Sequence, residues 1–249
     1  MTQVASRMGR LTREGFGYSM PAGASSYQAP PYHYRDAHAI TITYETDEDA
    51  VLDILPEGLE LPIPATVRAQ VSHARFSTFG SYLESFLAVE CLWQGERRFY
   101  MPYVLVTGET ALLAGREIWG EGKKLAHIEL IQDDNLIRGV VERPKGTPLL
   151  TLSIRPERTL RPPANQRPCY VSLRIIPSPE ENAPPAADLV ETFAEDWEVH
   201  EVWSGSSTMT FGVPSELDPW HKLPVRRIKN AFYSRCDFTL PAGKIIKRY

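Results

Sequence analysis

The sequence predicts a mainly β protein of the α+β kind, with antiparallel sheets closing into a β-barrel and a few short helices. Three observations carry this. Apolar and polar residues alternate with a period of two in segment after segment, the mark of half-buried strands. Turn-forming residues recur at short spacing between these segments, and many strands joined that way usually close up so that no edge is left bare. The length, 249 residues, suits one large all-β or α/β unit.

Residues 1–31 are rich in Gly, Ser, Ala and Pro and end in Pro21-Ala-Gly-Ala-Ser-Ser-Tyr-Gln-Ala-Pro-Pro31, which reads as an extended arm. A single domain is expected over 32–249, with the arm packing on a neighbour in a homo-oligomer. From His38 the pattern changes: Ile40, Ile42 and Tyr44 alternate with Thr41, Thr43 and Glu45 and predict a strand. Thr46 is the expected N-cap of a short helix with Asp47, Glu48 and Asp49 in its first turn, ending before Pro56-Glu57-Gly58. Val67, Ala69 and Val71 alternate with polar partners in a further strand. Ser85–Trp93 with Arg98–Val106, and Ala126–Gln132 with Leu136–Glu142, predict hairpins. Further strands are expected over Leu149–Ile154, Tyr170–Ile176, Val190–Trp203 and Phe232–Leu240, with Pro177–Ala186 as a loop.

A formal net charge of -4 argues against a surface built to hold nucleic acid. Cys91, Cys169 and Cys236 are far apart and odd in number, so neither a disulfide framework nor a zinc site is expected, and a reducing cytoplasm fits best. No segment approaches ~20 apolar residues, and residues 1–16 lack the apolar run of a secretory signal. The six histidines show no ligand spacing, so no metal or other cofactor is expected.

Thr107–Ile118 reads as a short helix followed by Trp119-Gly-Glu-Gly-Lys-Lys-Leu125. Gly115 and Gly120 have the spacing of a phosphate loop, but Glu121 stands where that motif needs lysine, and the nucleotide reading fails. A Lys-Lys pair taken alone is an ordinary solvated turn. In context it is not alone. Gly115-Arg116-Glu117-Ile118-Trp119-Gly120-Glu121-Gly122-Lys123-Lys124-Leu125 resembles the GRE-x4-PKKL segment of acetoacetate decarboxylases, whose first lysine forms a Schiff base with substrate. Pro31-Tyr32 followed by Tyr44-x-Thr46-Asp47-x-Asp49-Ala50 is similar to that family's early strand and helix. Tyr82-x-Glu84-Ser85 resembles the segment bearing its active-site glutamate. Arg167-Pro-Cys-Tyr170, Ile175-Ile176-Pro177, His200-Glu-Val-Trp203-Ser-Gly205 and Leu223-Pro224-Val225 are similar to later landmarks. The resemblance runs colinearly from about Pro31 to Arg248.

What it implies is an oligomeric β-barrel enclosing Lys123 as imine-forming nucleophile, with Glu84 beside it and Lys124 as an adjacent cation. An ordinary lysine, with a pKa near ~10.4, is only about 0.04% unprotonated at neutral pH. Bringing it to roughly 7 takes about 4–5 kcal/mol, from burial, a neighbouring cation or both. Two departures from the decarboxylase pattern stand out. The family's active-site arginine falls on Ala37, with Arg35 two residues earlier as a possible substitute if the two share a strand face. Glu121-Gly122 replaces the usual aromatic residue and proline, placing a carboxylate that favours a charged lysine.

The expected function is therefore a Schiff-base carbon–carbon lyase acting on a small oxo acid by decarboxylation. The alternative is condensation of pyruvate with an aldehyde co-substrate followed by loss of water, which calls on more acid/base groups. Glu121, Tyr82 and Tyr249 are candidates for those groups, and Trp119 for facing the substrate. Arg116 is expected to pair structurally with Glu117 around the loop. A non-catalytic barrel that binds a small molecule is the remaining alternative.

Overall fold

The computed structural model describes residues 7–161 and 167–249. In chain order its strands are β1 (Tyr32–Glu45), β2 (Thr66–Ser77), β3 (Tyr82–Trp93), β4 (Glu96–Val106), β5 (Lys123–Leu125), β6 (His127–Asp133), β7 (Leu136–Glu142), β8 (Pro148–Ile154), β9 (Arg158–Thr159), β10 (Cys169–Ile176), β11 (Ala186–Phe193), β12 (Glu195–Ser204), β13 (Ser207–Phe211), β14 (Arg227–Leu240) and β15 (Lys244–Arg248). Two α-helices interrupt them, α1 (Glu48–Leu52) and α2 (Glu109–Ala114), and α2 runs directly into a π-helical turn at Gly115–Trp119. Among the described residues no helix is long and apolar enough to cross a membrane.

The expected barrel is not formed. An 11-stranded sheet follows the order β15-β11-β10-β4-β3-β2-β1-β14-β12-β9, with β5 added beside β4, and its two ends do not pair. A separate four-stranded sheet runs β13-β8-β7-β6. Edges are managed by brevity and charge instead of closure: β9 has two residues, and β15 carries Lys244, Lys247 and Arg248. Nor is the large sheet wholly antiparallel, because β10 and β5 both run parallel to β4.

Alternation explains how the two sheets meet. Ile40 and Ile42 of β1, Val67, Ala69 and Val71 of β2, and Leu87 and Val89 of β3 turn to one face. They pack against Ile128, Ile137, Val141, Leu150, Leu152 and Ile154 of the smaller sheet. The approach is close enough that a Cβ on Gly139 would lie 2.8 Å from Val71. A second apolar cluster forms on the opposite face of the large sheet, around Tyr34, Tyr82, Phe86, Met101, Val104 and Trp119, where α2 and the π turn cover it.

Several local expectations shift. Asp47, not Thr46, caps α1 by accepting a bond from the Ala50 amide at 3.3 Å. The run expected as one strand over Val190–Trp203 divides at Ala194 into β11 and β12. The helix expected to continue to Ile118 changes to π geometry at Gly115. Residues 7–31 contain no strand, only a 3-10 turn at Arg13–Gly15, and Tyr27 is buried.

Candidate active site

Lys123 owes its position to the chain reversal that precedes β5. Gly120 ends the π turn with a φ of +77°, and a Cβ there would lie 2.3 Å from the Cα of Arg174, so only glycine fits. The reversal lets the Glu121 amide donate to Gly115 O at 3.0 Å. Residues two apart on an extended segment share a face, so Glu121 and Lys123 point the same way. Pairing of Lys123 with Val104 then places both on the covered face of the large sheet.

Glu84 reaches the same point from β3, where it lies opposite Ser72 and Val106. The Lys123 ammonium sits 2.7 Å from Glu121 Oε2 and 3.0 Å from Glu84 Oε2. Lys123 is only 5% exposed, Glu121 11% and Glu84 21%, so Glu84 is the least buried of the three. Gly115 makes room for it: a Cβ there would lie 2.6 Å from Lys123 Cδ and 2.8 Å from Glu121 Oε2.

The electrostatics follow from burial and charge together. Burial alone would drive the Lys123 pKa down, but the carboxylates of Glu121 and Glu84 outweigh it and hold the ammonium above its ordinary value. Glu121 is shifted upward by burial, which outweighs the pull of Lys123 and is reinforced by Glu84. The hydroxyls of Tyr34 and Tyr82 lie 3.1 Å apart beside the carboxylates, and burial raises the pKa of both well above the usual tyrosine value.

The remaining sequence candidates divide. Lys124 points to the opposite side, as alternation requires, and its ammonium lies 2.9 Å from Asp218 Oδ1. Arg143 holds the other oxygen of Asp218 at 2.9 Å. Arg116 donates to the backbone carbonyl of Lys123 at 3.2 Å, and Glu117 accepts from the Tyr27 hydroxyl, so the two neighbours serve different partners instead of each other. Trp119 is buried, donates to Pro241 O at 3.1 Å and meets Tyr32 edge to face.

Arg35 is directed elsewhere, and a β-bulge is the reason. Asp36 takes a φ of +53°, and the β1 register shifts between Tyr34 and Ala37. The shared face expected of Arg35 and Ala37 is lost: Ala37 is buried, while Arg35 is exposed and bonds the carbonyls of Tyr34 and Phe238. Tyr249 is exposed as well, its hydroxyl donating to Glu57 O at 2.7 Å.

Tyr34, absent from the sequence candidates, is the residue the structure adds beside Tyr82. The alternation of Tyr32 and Tyr34 with His33 and Arg35 is the signal that extends the strand back to them. A separate surface cavity of about 280 Å³ is lined by Gln132, Trp203, Tyr233 and neighbours and shares no residue with the lysine cluster. Among the described residues no group of three His, Cys, Asp or Glu side chains is arranged to hold a metal ion.

Comparison with known proteins identifies the family and the fold. The model of the acetoacetate decarboxylase (ADC) family matches residues 19–249. Decarboxylase DEC1 of Cochliobolus heterostrophus is 30% identical over 220 residues, covering 83% of this chain and 87% of that protein. The crystal structure of acetoacetate decarboxylase from Legionella pneumophila superposes with a TM-score of 0.87 at 27% identity, covering 98% of this chain and 99% of that one. The enduracididine biosynthesis enzyme MppR, complexed with the condensation product of pyruvate and imidazole 4-carboxaldehyde, shares the fold with a TM-score of 0.78 at 19% identity, covering 97% of this chain and 98% of that one. With its family model spanning all but the first 18 residues, the chain belongs to the acetoacetate decarboxylase family.

Proposed function

We propose that the protein is an imine-forming lyase in which Lys123 condenses with the carbonyl of a small oxo acid and the iminium then accepts the electrons released by decarboxylation. The observation that carries this reading is the buried Lys123 amine, clamped 2.7 Å from Glu121 and 3.0 Å from Glu84. An ammonium held that way is unreactive until it loses a proton, and a carboxylate in contact is the group that takes it. Protonation of Glu121, which burial already favours, also removes one of the charges holding the lysine cationic.

The steps then balance. The free amine adds to the carbonyl carbon, and the carbinolamine leaves its hydroxyl as water with a proton returned by the carboxyl group. The iminium takes the electron pair of the carbon–carboxylate bond as CO2 departs. A proton delivered to the enamine carbon regenerates an iminium, and water hydrolyses it to release the ketone and the amine. Glu84, the less buried of the two carboxylates, is the group assigned to the carbon proton.

A second reading is favoured by Glu121 itself. Condensation of pyruvate with an aldehyde requires a base next to the iminium and an acid for the departing hydroxyl. Two carboxylates and the Tyr34–Tyr82 pair offer more proton carriers than decarboxylation uses. The condensation product bound to MppR supports this chemistry on the same fold.

Borohydride reduction in the presence of acetoacetate or pyruvate, followed by peptide mass analysis, tests both readings at their common step. A covalent mass increase on the Lys123 peptide, lost in Lys123→Met, is expected. CO2 release from acetoacetate supports decarboxylation, and a conjugated product from pyruvate plus an aldehyde supports condensation. Labelling confined to other lysines removes both readings and leaves a binding protein.

A further inference from the structure

The face that carries Lys123 also carries an arginine that no part of the lysine cluster explains. On β2, Arg68 lies opposite Ala88, Gln70 opposite Phe86 and Ser72 opposite Glu84, so all three share the covered face with Glu84. Arg68 is half-buried, and burial is the first cause lowering its pKa from the ordinary arginine value. Its guanidinium carbon sits 3.8 Å from the centroid of the Phe99 ring, a cation–π contact. Arg97 lies over the same ring at 5.2 Å.

No carboxylate among the described residues forms an ion pair with Arg68. Glu90 attracts it at a distance but is engaged by Arg97 at 2.7 Å. A guanidinium remains charged at any working pH and carries five donors, so a partly desolvated one without a counterion is costly unless an anion completes it. Stacking on Phe99 satisfies its face, and the Tyr170 hydroxyl takes one of its hydrogen bonds, a neutral partner that leaves other donors of the guanidinium for an anion.

Other groups link this arginine to the lysine. Tyr170 stands between them: its ring is 5.7 Å from Phe86 and 6.1 Å from Phe99, and its hydroxyl, hydrogen-bonded to Arg68, also feels the charge of Glu84. Gln70, on the row between, accepts from the Thr41 hydroxyl through Oε1 at 3.0 Å, and its amide nitrogen has no hydrogen-bond partner among the described residues. The Lys123 ammonium sits at Glu84, while Arg68 stands level with Ala88, four residues further along β3, about 13 Å at the usual rise of a strand.

We propose that Arg68 is an anion-binding, specificity-determining residue at the far end of the Lys123 site, and that the preferred substrates are oxo acids with a second negatively charged group at the distal end of an extended chain. The reacting carbonyl meets Lys123, the chain lies over Phe86 and Tyr170, and the distal carboxylate takes the donors of Arg68 that Tyr170 leaves free. This deepens the imine-forming reading and rests on it. It also gives the site a cation of its own, on a different strand from Ala37, where the decarboxylase pattern places arginine.

The test uses a 3-oxo diacid of roughly eight carbons, a length set by the ~13 Å strand spacing, and its monoester at the distal carboxylate. Half-saturation of borohydride trapping on Lys123 and KM for turnover are measured for both compounds. The native protein is expected to prefer the diacid ten- to a hundred-fold, the range of a hydrogen-bonded charge pair. Arg68→Met is expected to raise KM for the diacid by that factor with little change in kcat, to leave the monoester nearly unaffected, and Arg68→Lys to recover part of the loss. Equal trapping of diacid and monoester by the native protein overturns the inference while leaving the lysine chemistry standing. Failure to trap any oxo acid on Lys123 overturns that chemistry and the inference together. If Arg68→Met does not fold, the diacid–monoester comparison on the native protein decides alone.

Discussion

The Lys123 ammonium and the Glu121 carboxylate, two residues apart in the chain, meet at 2.7 Å in the interior because Gly120 reverses the backbone just before them. Local sequence thus builds an ion pair that tertiary structure then desolvates. Burial and charge oppose each other at the lysine, and charge prevails, since Glu84 adds a second carboxylate at 3.0 Å. The resting site holds its amine protonated. Reactivity then depends on the carboxylates giving up part of that hold.

Removing one carboxylate should expose this balance. Glu121→Gln deletes the charge that raises Lys123 most, so the pKa of Lys123 falls as burial weighs more heavily against the Glu84 charge that remains. Imine formation needs the neutral amine, so its pH profile should move toward acid by at least about one unit, a tenfold gain in free amine at fixed pH. Steady-state turnover should fall, because the proton acceptor has gone with the charge. The rate of borohydride trapping against pH measures the first effect and kcat the second; an unmoved trapping profile rejects the assigned role of Glu121.

Lys124 should behave differently from its neighbour. Its ammonium faces Asp218 on the other side of β5, where Arg143 is a second partner. Lys124→Met should leave the pH profile of trapping on Lys123 in place. Its cost should appear in stability, at about 1 kcal/mol or less, because Lys124 is 40% exposed and Asp218 keeps Arg143. Thermal melting beside the trapping profile separates the two. An acid or alkaline shift of a full unit would restore Lys124 as an electrostatic activator.

The contrast between these two lysines shows how far the sequence could be read. Periodicity of two located most strands, and the Gly115–Leu125 pattern drew attention to the lysine that the fold encloses between two carboxylates, because both depend on residues close together in the chain. Barrel closure was not legible: whether β15 and β9 meet depends on the curvature of eleven strands, not on any one of them. Arg35 failed for a local reason that alternation cannot see, the extra residue at Asp36. Arg68 and Tyr34 acquire meaning only when β1, β2, β3 and β5 are laid side by side. Strand alternation did imply that Lys123 and Lys124 diverge, but only the fold decides which one is enclosed by carboxylates.

Gly115 should be intolerant of even one methyl group. A Cβ would press on Lys123 Cδ and Cε at 2.6 Å and 2.7 Å and on Glu121 Oε2 at 2.8 Å. Gly115→Ala should destabilise the fold by about 1–3 kcal/mol, as overpacking of a filled interior does. Because the displaced atoms are the lysine stem itself, trapping on Lys123 should slow by more than the loss of folded protein explains. Trapping normalised to the folded fraction from a melting curve is the measurement. A normal rate in folded Gly115→Ala would mean that the lysine stem has slack that the packing does not show.

The π turn that ends at Trp119 is held from outside by the N-terminal segment. Tyr27, buried, donates its hydroxyl to Glu117, and Arg174 holds the Glu117 carbonyl at 2.7 Å while reaching Asp188 at 3.0 Å. Arg116, next in the chain, donates to Lys123 O at 3.2 Å, so the turn is tied both to the segment outside it and to the backbone of Lys123. Tyr27→Phe removes the hydroxyl alone and leaves Glu117 without that donor. A loss of about 1–2 kcal/mol is expected. Proteolysis should then cut before residue 31 faster than in the native protein, since the bond anchors that segment to the turn. The pH profile of trapping should stay fixed, because Tyr27 touches neither carboxylate that sets the charge on Lys123. Limited digestion followed by mass analysis checks the first expectation. Unchanged cleavage in a folded Tyr27→Phe protein would show that packing of the Tyr27 ring in the apolar cluster, and not the bond to Glu117, holds the segment in place.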